Sequence, residues 1–257
     1  GKNGYGAKLT NIFSKEFTVE SVDRKQHLLY KQTWSDNMET KNVPIITKHK
    51  GEPYTKITFL PDYKRFGLNG LTDDLYNLFV KRVYDCALWF SGNMNIELNP
   101  KGKKLNLPIN VYLNETEINC SLLNYINLYT NGDLNESDII LDTFNRWEVG
   151  LVLSKNHRFM QVSMVNGITT IRGGKHVDNI VNQIVKKLSE IALKKKKKIE
   201  IKPSYVKDNI WIFVKCIIEE PTFDGQTKES MTTNINNFGS KYEVSDKFIE
   251  KLIKIGL

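Results

Sequence analysis

Over the first third of the chain, apolar and polar positions alternate in short runs, as half-buried strands require. Phe17-Thr18-Val19-Glu20-Ser21-Val22 and His27-Leu28-Leu29-Tyr30-Lys31-Gln32-Thr33-Trp34 predict two strands, and Asp23-Arg24-Lys25 predicts the turn of an antiparallel hairpin. Residues 35–53 are polar with scattered Gly and Pro and predict a loop; Tyr54 to Leu60 predicts a third strand, closed by Pro61-Asp62. The period then lengthens. Leu75, Leu78, Phe79, Arg82, Val83 and Cys86 recur at three-four spacing, and the apolar members of that series are expected to pack on a sheet. Thr72 is a good N-cap for this helix, and Asp73 and Asp74 favour the positive end of its dipole. Asn95-Ile96-Glu97-Leu98 predicts another strand and Asn99-Pro100-Lys101-Gly102 a turn. Strands, helix, then strands predict a layered α+β domain with helices on one face.

A domain boundary is placed near Leu107-Pro108, dividing the chain into residues 1–107 and 108–257. Residues 114–145 are Asn-rich and loosely patterned. Trp147 to Leu153 and Phe159 to Val165 predict two strands, with Ser154-Lys155-Asn156-His157 as the turn. Val177, Ile180, Val181, Ile184, Val185, Leu188 and Ile191 then form a helical stripe, with five lysines directly after it. Asn209 to Ile218 is the most apolar strand in the chain. A short final helix starts at Ser245, with Phe248, Ile249, Leu252 and Ile253 on one face.

Composition narrows the class. Of 257 residues, 40% are hydrophobic and 26% charged, which suits a globular chain and not a disordered one. No apolar run approaches the ~18 residues of a membrane span, and no secretory signal follows Gly1. Cys86, Cys120 and Cys216 stand far apart with no Cys-x-x-Cys pair, and the four histidines show no ligand spacing, so zinc frameworks and His-Glu-x-x-His chemistry are not expected. Net charge is +8, and the run Lys194 to Lys198 supplies five of it, leaving an ordinary +3. The basicity is local, and a local basic patch points to an acidic partner, most often nucleic acid.

Four segments carry candidate chemistry. Gly1-Lys2-Asn3-Gly4-Tyr5-Gly6-Ala7-Lys8 precedes a helix expected over residues 7–14; glycines can turn backbone amides toward an anion, and Lys2 and Lys8 add charge. It is not a P-loop, and alone it is equally a tight turn without ligand. Phe223-Asp224-Gly225-Gln226-Thr227-Lys228-Glu229 follows the apolar strand and Pro221, so it is read as an exposed loop. Gly225 permits a sharp bend there, and Gln226 and Lys228 offer an amide and an ammonium suited to a terminal phosphate, although a solvated loop explains the tripeptide as well. Ile171-Arg172-Gly173-Gly174-Lys175-His176-Val177-Asp178 reads as geometry at a helix start, in preference to a catalytic His176. Lys194 to Lys198 exceed what a helix C-terminus needs for its dipole.

Taken in order along the chain, these segments resemble the type II DNA topoisomerases of the eukaryotic kind. The matching stretches are Gly1 to Lys8 with Asn11-Ile12-Phe13-Ser14; Lys31-Gln32-Thr33-Trp34 with Asp36-Asn37-Met38; Asn145-Arg146-Trp147-Glu148-Val149; Val165-Asn166-Gly167-Ile168; Gly173-Gly174-Lys175-His176-Val177-Asp178; and Trp211-Ile212-Phe213-Val214 through Pro221 to Glu229. The resemblance implies a partial GHKL-type ATPase sandwich over residues 1–107 and a transducer domain with left-handed βαβ topology over 108–257. It implies ATP as cofactor, with Gly1, Lys2, Asn3, Gly4, Tyr5, Gly6, Ala7 and Lys8 as the glycine-rich nucleotide lid. Gln226, Thr227 and Lys228 become a transducer loop reaching the nucleotide, with Lys228 as the catalytic residue on the γ-phosphate. Lys194, Lys195 and Lys196 lie where the family contacts double-stranded DNA.

The same resemblance implies Mg2+ held by a residue upstream of Gly1, a homodimer closed through the ATPase gate, and a nuclear location. Lys2 stands where the family usually has Arg, which keeps charge but loses bidentate geometry. The general-base Glu would lie upstream and the DNA-cleaving tyrosine downstream, so the chain is expected to be a piece of a longer enzyme that passes one duplex through a break in another. A non-catalytic DNA-binding or dimerisation module that kept the pattern is the alternative. Another ATPase of the same fold class is a third reading, disfavoured by the joint Gly-Gly-Lys-His turn and Gln-Thr-Lys loop.

Overall fold

A computed structural model describes residues 4–91, 109–194 and 201–257. The chain forms two compact units, Gly1–Leu78 and Phe79–Leu257. The strand expected at residues 95–98 and the boundary near 107–108 lie outside the described residues.

The first unit opens with helix α1 (Tyr5–Ile12), followed by β1 (Ser14–Asp23), β2 (Leu28–Ser35), β3 (Thr40–Lys41), β4 (Ile45–Lys48) and β5 (Thr55–Pro61). β1 and β2 are the expected hairpin, in register from Glu16↔Ser35 to Asp23↔Leu28. Its turn is tied by the Asp23 carboxylate, which accepts the N–H groups of Lys25 and Gln26 at 2.8 and 2.7 Å, the local bonding that makes Asp a turn residue. β1 also pairs antiparallel with β5, giving the order β3-β2-β1-β5, with β4 on β2 as well. The loop expected over 35–53 therefore holds two strands. They are two and four residues long and wholly exposed, so no alternation marks them. Three consecutive left-handed residues, Asp36, Asn37 and Met38, turn the chain out of β2.

A 3-10 turn (Tyr63–Phe66) leads to α2 (Asp73–Phe90), which begins as expected with the Leu75 N–H on Thr72 Oγ1 at 3.3 Å. Its expected apolar stripe is not the buried one. Leu78 and Phe79 are 44% and 42% exposed, and Asp85, Ala87 and Leu88 are buried instead. The reason is a polar anchor: Asp85 accepts from Lys81 (2.8 Å), Tyr125 (2.5 Å) and Thr169 (3.0 Å), so a carboxylate occupies the face that periodicity assigned to leucine. Burial raises its pKa, but these hydrogen bonds and the lysine charge outweigh burial and hold it below the usual carboxylate range.

The second unit continues with β6 (Tyr112–Leu113), β7 (Thr116–Glu117), α3 (Leu122–Tyr129), β8 (Ile140–Phe144), β9 (Trp147–Leu153), β10 (Met160–Val165), β11 (Ile168–Thr169), α4 (Lys175–Lys194), α5 (Pro203–Asp208), β12 (Ile210–Cys216) and α6 (Asp246–Lys254). One sheet runs β11-β10-β12-β9-β8. β10 and β12 are parallel neighbours joined through α4, which is a βαβ unit; β12 thus separates β9 from β10, and residues 154–157 do not join a hairpin. Two segments of the resemblance are tight turns here: Asn145 (φ 50) joins β8 to β9, and Asn166-Gly167 (φ 52 and 77) joins β10 to β11. Positive φ at both central residues matches the right-handed strand twist, which explains Asn-Gly there.

Helices cover both faces of this sheet. Val177, Ile180, Val181, Ile184 and Leu188 of α4 pack with Phe248, Ile249 and Leu252 of α6 against Trp147, Val149, Leu151, Ile212 and Val214. On the other face Ala87 and Leu88 of α2 and Leu122, Tyr125 and Ile126 of α3 meet Val152, Met164 and Phe213. β12 is apolar without alternation because each of its faces is buried. Gly150 faces α3, where a Cβ would stand 2.5 Å from Ile126. No described helix is long and apolar enough to cross a membrane.

Candidate functional site

After β12 the chain doubles back on itself. The Thr222 N–H donates to Thr233 Oγ1 (2.8 Å), the Thr232 N–H to the Thr222 carbonyl (2.9 Å), and the Asp224 N–H to the Ser230 carbonyl (3.1 Å). Asp224 Oδ1 accepts the Ser230 N–H in return at 3.1 Å. These bonds form a neck, and its tip is the turn Gly225–Lys228, closed by the Lys228 N–H on the Gly225 carbonyl at 3.1 Å. Gln226 and Thr227 are exposed at that tip. The Lys228 ammonium lies 5.9 Å from the centre of the Phe223 ring, and no described carboxylate pairs with it. The chain bends at Gly225 as expected, but the bend does not require a glycine: a Cβ at Gly225 would meet nothing, and the left-handed residue of the turn is Lys228, at φ 58.

The neck is held by the segment that reads Arg172-Gly173-Gly174-Lys175. Met231 donates its N–H to the Gly173 carbonyl (3.0 Å) and accepts the Lys175 N–H (3.1 Å), while the Arg172 N–H donates to the Glu229 carbonyl (2.9 Å). Gly174 sits at φ 134, and a Cβ there would lie 2.3 Å from the Met231 carbonyl oxygen, so no other residue fits. The Arg172 guanidinium reaches Asp224 and, at 3.2 Å, Glu229, and Lys175 Nζ donates to Asn234 Oδ1 at 2.5 Å. Two sequence signals 52 residues apart, Gly174 to Gln226, are therefore one object: the glycine pair is the seat of the Gln226-Thr227-Lys228 loop.

His176, the first residue after this seat to turn inward, is fully buried, with Nε2 3.3 Å from Thr170 Oγ1. Burial lowers its pKa to about 3, so it is neutral at physiological pH. That agrees with its reading as part of a helix start.

In the first unit, Gly4 adopts the left-handed conformation (φ 67) and α1 starts directly after it, two residues earlier than expected. No side chain caps this helix start, and Tyr5, Gly6, Ala7 and Lys8 are exposed, so the first-turn N–H groups are open to an anion. Gly1, Lys2 and Asn3 lie outside the described residues. The far end of α1 is fixed: Asn37 donates to the Ile12 carbonyl (3.0 Å) and to Asp62 (3.2 Å), and Lys15 pairs with Asp62 at 3.3 Å. The Asp36-Asn37-Met38 segment thus fastens the helix that follows the glycines. Gly4–Lys8 belong to the first unit and Gln226–Lys228 to the second.

Lys194 is exposed at the last turn of α4. Lys195 and Lys196 lie outside the described residues. Among the described residues no group of three His, Cys, Asp or Glu could hold a metal. Sequence reasoning missed Arg172 as the loop's clamp and the buried ion pair of Lys215 with Glu148 (3.3 Å). A lone lysine inside the most apolar strand was the available signal for the latter.

The family described as DNA gyrase B matches residues 111–255. The chain is 42% identical over its whole length to the DNA topoisomerase 2-beta of Gallus gallus and to the DNA topoisomerase 2 of Acanthamoeba polyphaga mimivirus, and it spans 15% and 19% of those proteins. Among solved structures, the ATPase region of Saccharomyces cerevisiae topoisomerase II matches with a TM-score of 0.83 at 41% identity. The ATPase and transducer domains of topoisomerase II from Balamuthia mandrillaris match at 0.85 and 36%. Both likenesses take in 99% of this chain and 62% of the other. With the family match covering more than half of the chain and the likeness running from one end to the other, the chain belongs to the DNA gyrase B family of type II topoisomerases, in their ATPase and transducer region.

Proposed function

We propose that this chain holds the phosphates of ATP and transmits the nucleotide state within an ATP-dependent type II DNA topoisomerase. The carrying observation is the clamped loop: the Gly173-Gly174 seat presents a turn whose Lys228 ammonium has no described carboxylate partner. A compact, unpaired cation on a braced turn suits the γ-phosphate, where charge develops during transfer. Gln226 adds an amide beside it. The open first turn of α1, with Gly4 to Lys8 and the preceding Gly1 to Asn3, is the second phosphate contact in this reading.

ATP would supply the phosphoanhydride bond, and the chain's own part is to orient its terminal phosphate and stabilise charge there. Mg2+ accompanies the nucleotide in this proposal, with its protein ligand assigned to no residue of this chain. Because Lys228 binds a group that hydrolysis removes, the loop's preferred position depends on the nucleotide state, as a two-state transducer requires. Residues 1–107 are assigned to the ATPase domain and 108–257 to the transducer. Lys194, Lys195 and Lys196 are assigned to double-stranded DNA, the assembly to a homodimer, and the location to the nucleus; of these, the names of the relatives support the DNA partner.

Lys228→Ala in the complete enzyme tests the reading. ATP turnover should fall by roughly 100-fold or more, as for loss of one preorganised donor, while ADP affinity stays unchanged. Equal losses in turnover and ADP affinity would show that Lys228 supports the fold and does not read the γ-phosphate.

A further inference from the structure

We propose that Arg172 is a positioning residue for Lys228: it straps together the two arms of the loop and takes up the two carboxylates that flank the phosphate-reading ammonium. The proposal rests on the reading of Lys228 given above. Asp224 lies two residues before Gln226 and Glu229 one residue after Lys228, so the tripeptide is bracketed by acids. Arg172 reaches both at once, with Nη2 on Asp224 Oδ2 and Nε 3.2 Å from Glu229 Oε2, while its own N–H holds the Glu229 carbonyl at 2.9 Å.

The strap is anchored on rigid ground. Arg172 immediately precedes the glycine pair, and Met231 is hydrogen-bonded to the Gly173 carbonyl and the Lys175 N–H on either side of Gly174. Asp224 is equally fixed, because its other carboxylate oxygen accepts the Ser230 N–H at 3.1 Å. Two carboxylates on separate arms call for a planar cation with donors in a fixed fork, which a lysine lacks. Lys228 itself holds a left-handed backbone (φ 58) that its type rarely adopts, so the turn depends on its neck to keep that shape. If Arg172 were removed, Asp224 and Glu229, which bracket the tripeptide in the chain, would lose their guanidinium partner and be left to compete with phosphate for the Lys228 ammonium.

The test compares Arg172→Ala, Arg172→Lys, Lys228→Ala and the double Arg172→Ala/Lys228→Ala in the complete enzyme, reading ATP turnover, ADP affinity and melting temperature. Arg172 is 62% exposed, so each ion pair is worth little and Arg172→Ala should lower turnover by only ~3- to 10-fold. ADP affinity and melting temperature should hold, Arg172→Lys should recover part of the loss, and the effect should disappear when Lys228 is already alanine. Adding Asp224→Asn and Glu229→Gln to Arg172→Ala should restore part of the turnover by removing the competing anions. Full additivity with Lys228→Ala, or a parallel loss of ADP affinity or melting temperature, would overturn the positioning role while leaving the Lys228 reading in place. Undiminished turnover in Lys228→Ala alone would overturn both.

Discussion

Gly174 lies so close to Met231 that a Cβ on the glycine would stand 2.3 Å from the methionine's carbonyl oxygen and 2.6 Å from its nitrogen. Gly174→Ala must therefore break the bridge that seats the loop, and it also strains a backbone at φ 134. A loss of about 2–4 kcal/mol in urea unfolding is expected. Gly225→Ala is the control: its Cβ meets nothing and its φ is ordinary, so stability should stay level or rise by ~0.4–1 kcal/mol. Comparable losses at both glycines would contradict the assignment of Gly174 as the seat.

His176 makes the second unit sensitive to mild acid. Its folded pKa of about 3 lies below the unfolded value of 6.5, so below pH 6.5 the unfolded chain takes up a proton that the native state refuses. Its stability contribution is complete above pH 6.5 and is lost as pH falls toward 3. Between pH 7 and pH 5 this costs roughly 2 kcal/mol. His176→Gln should flatten that part of the pH profile in denaturant titrations; an unchanged slope would mean that other groups set it.

Lys215 and Glu148 are paired inside the sheet's covered face, with side chains 1% and 7% exposed. Burial lowers the lysine's pKa, and the Glu148 charge and hydrogen bond oppose that shift. Glu148→Gln leaves an ammonium buried without its counter-charge and should cost roughly 3–5 kcal/mol. Replacing the pair with Lys215→Met and Glu148→Leu should be near neutral or stabilising, because desolvation of both charges disappears. A double variant as unstable as the single one would show that the pair contributes more than it costs to bury.

The lysine run tests the DNA assignment. Neutralising Lys194, Lys195 and Lys196 should weaken duplex binding at all sequences alike and flatten the salt dependence by roughly 0.9 log units per lost phosphate contact. An unchanged salt slope would contradict the DNA assignment and leave Lys194 as the solvated end of α4.

Much of the architecture is written locally. The β1–β2 hairpin, α4 with its one apolar face, β12 and the Ser245-capped α6 follow from periodicity and turn chemistry, because each depends on neighbours within a few residues. Strands β3 and β4 escaped notice because they are short and exposed, so pairing with β2 and not patterning creates them. The buried side of α2 was misread for a related reason. An aspartate is read as polar wherever it stands, and burial of Asp85 becomes tolerable when Tyr125 from α3 and Thr169 from β11 join Lys81 of its own helix around the carboxylate.

The site divides along the same line. The residue types at Gly1–Lys8 and Gln226–Lys228, and their order, were legible as candidate phosphate contacts and carried the family resemblance. That Gly173 and Gly174 serve the loop, that Lys228 and not Gly225 takes the left-handed turn, and that Arg172 bridges Asp224 and Glu229 were decided only when β12 paired parallel to β10 and carried the loop back to the start of α4. Hydrogen bonds and ion pairs act over about 3 Å in space, whatever the separation along the chain, so contacts between residues 50 apart belong to the tertiary structure alone.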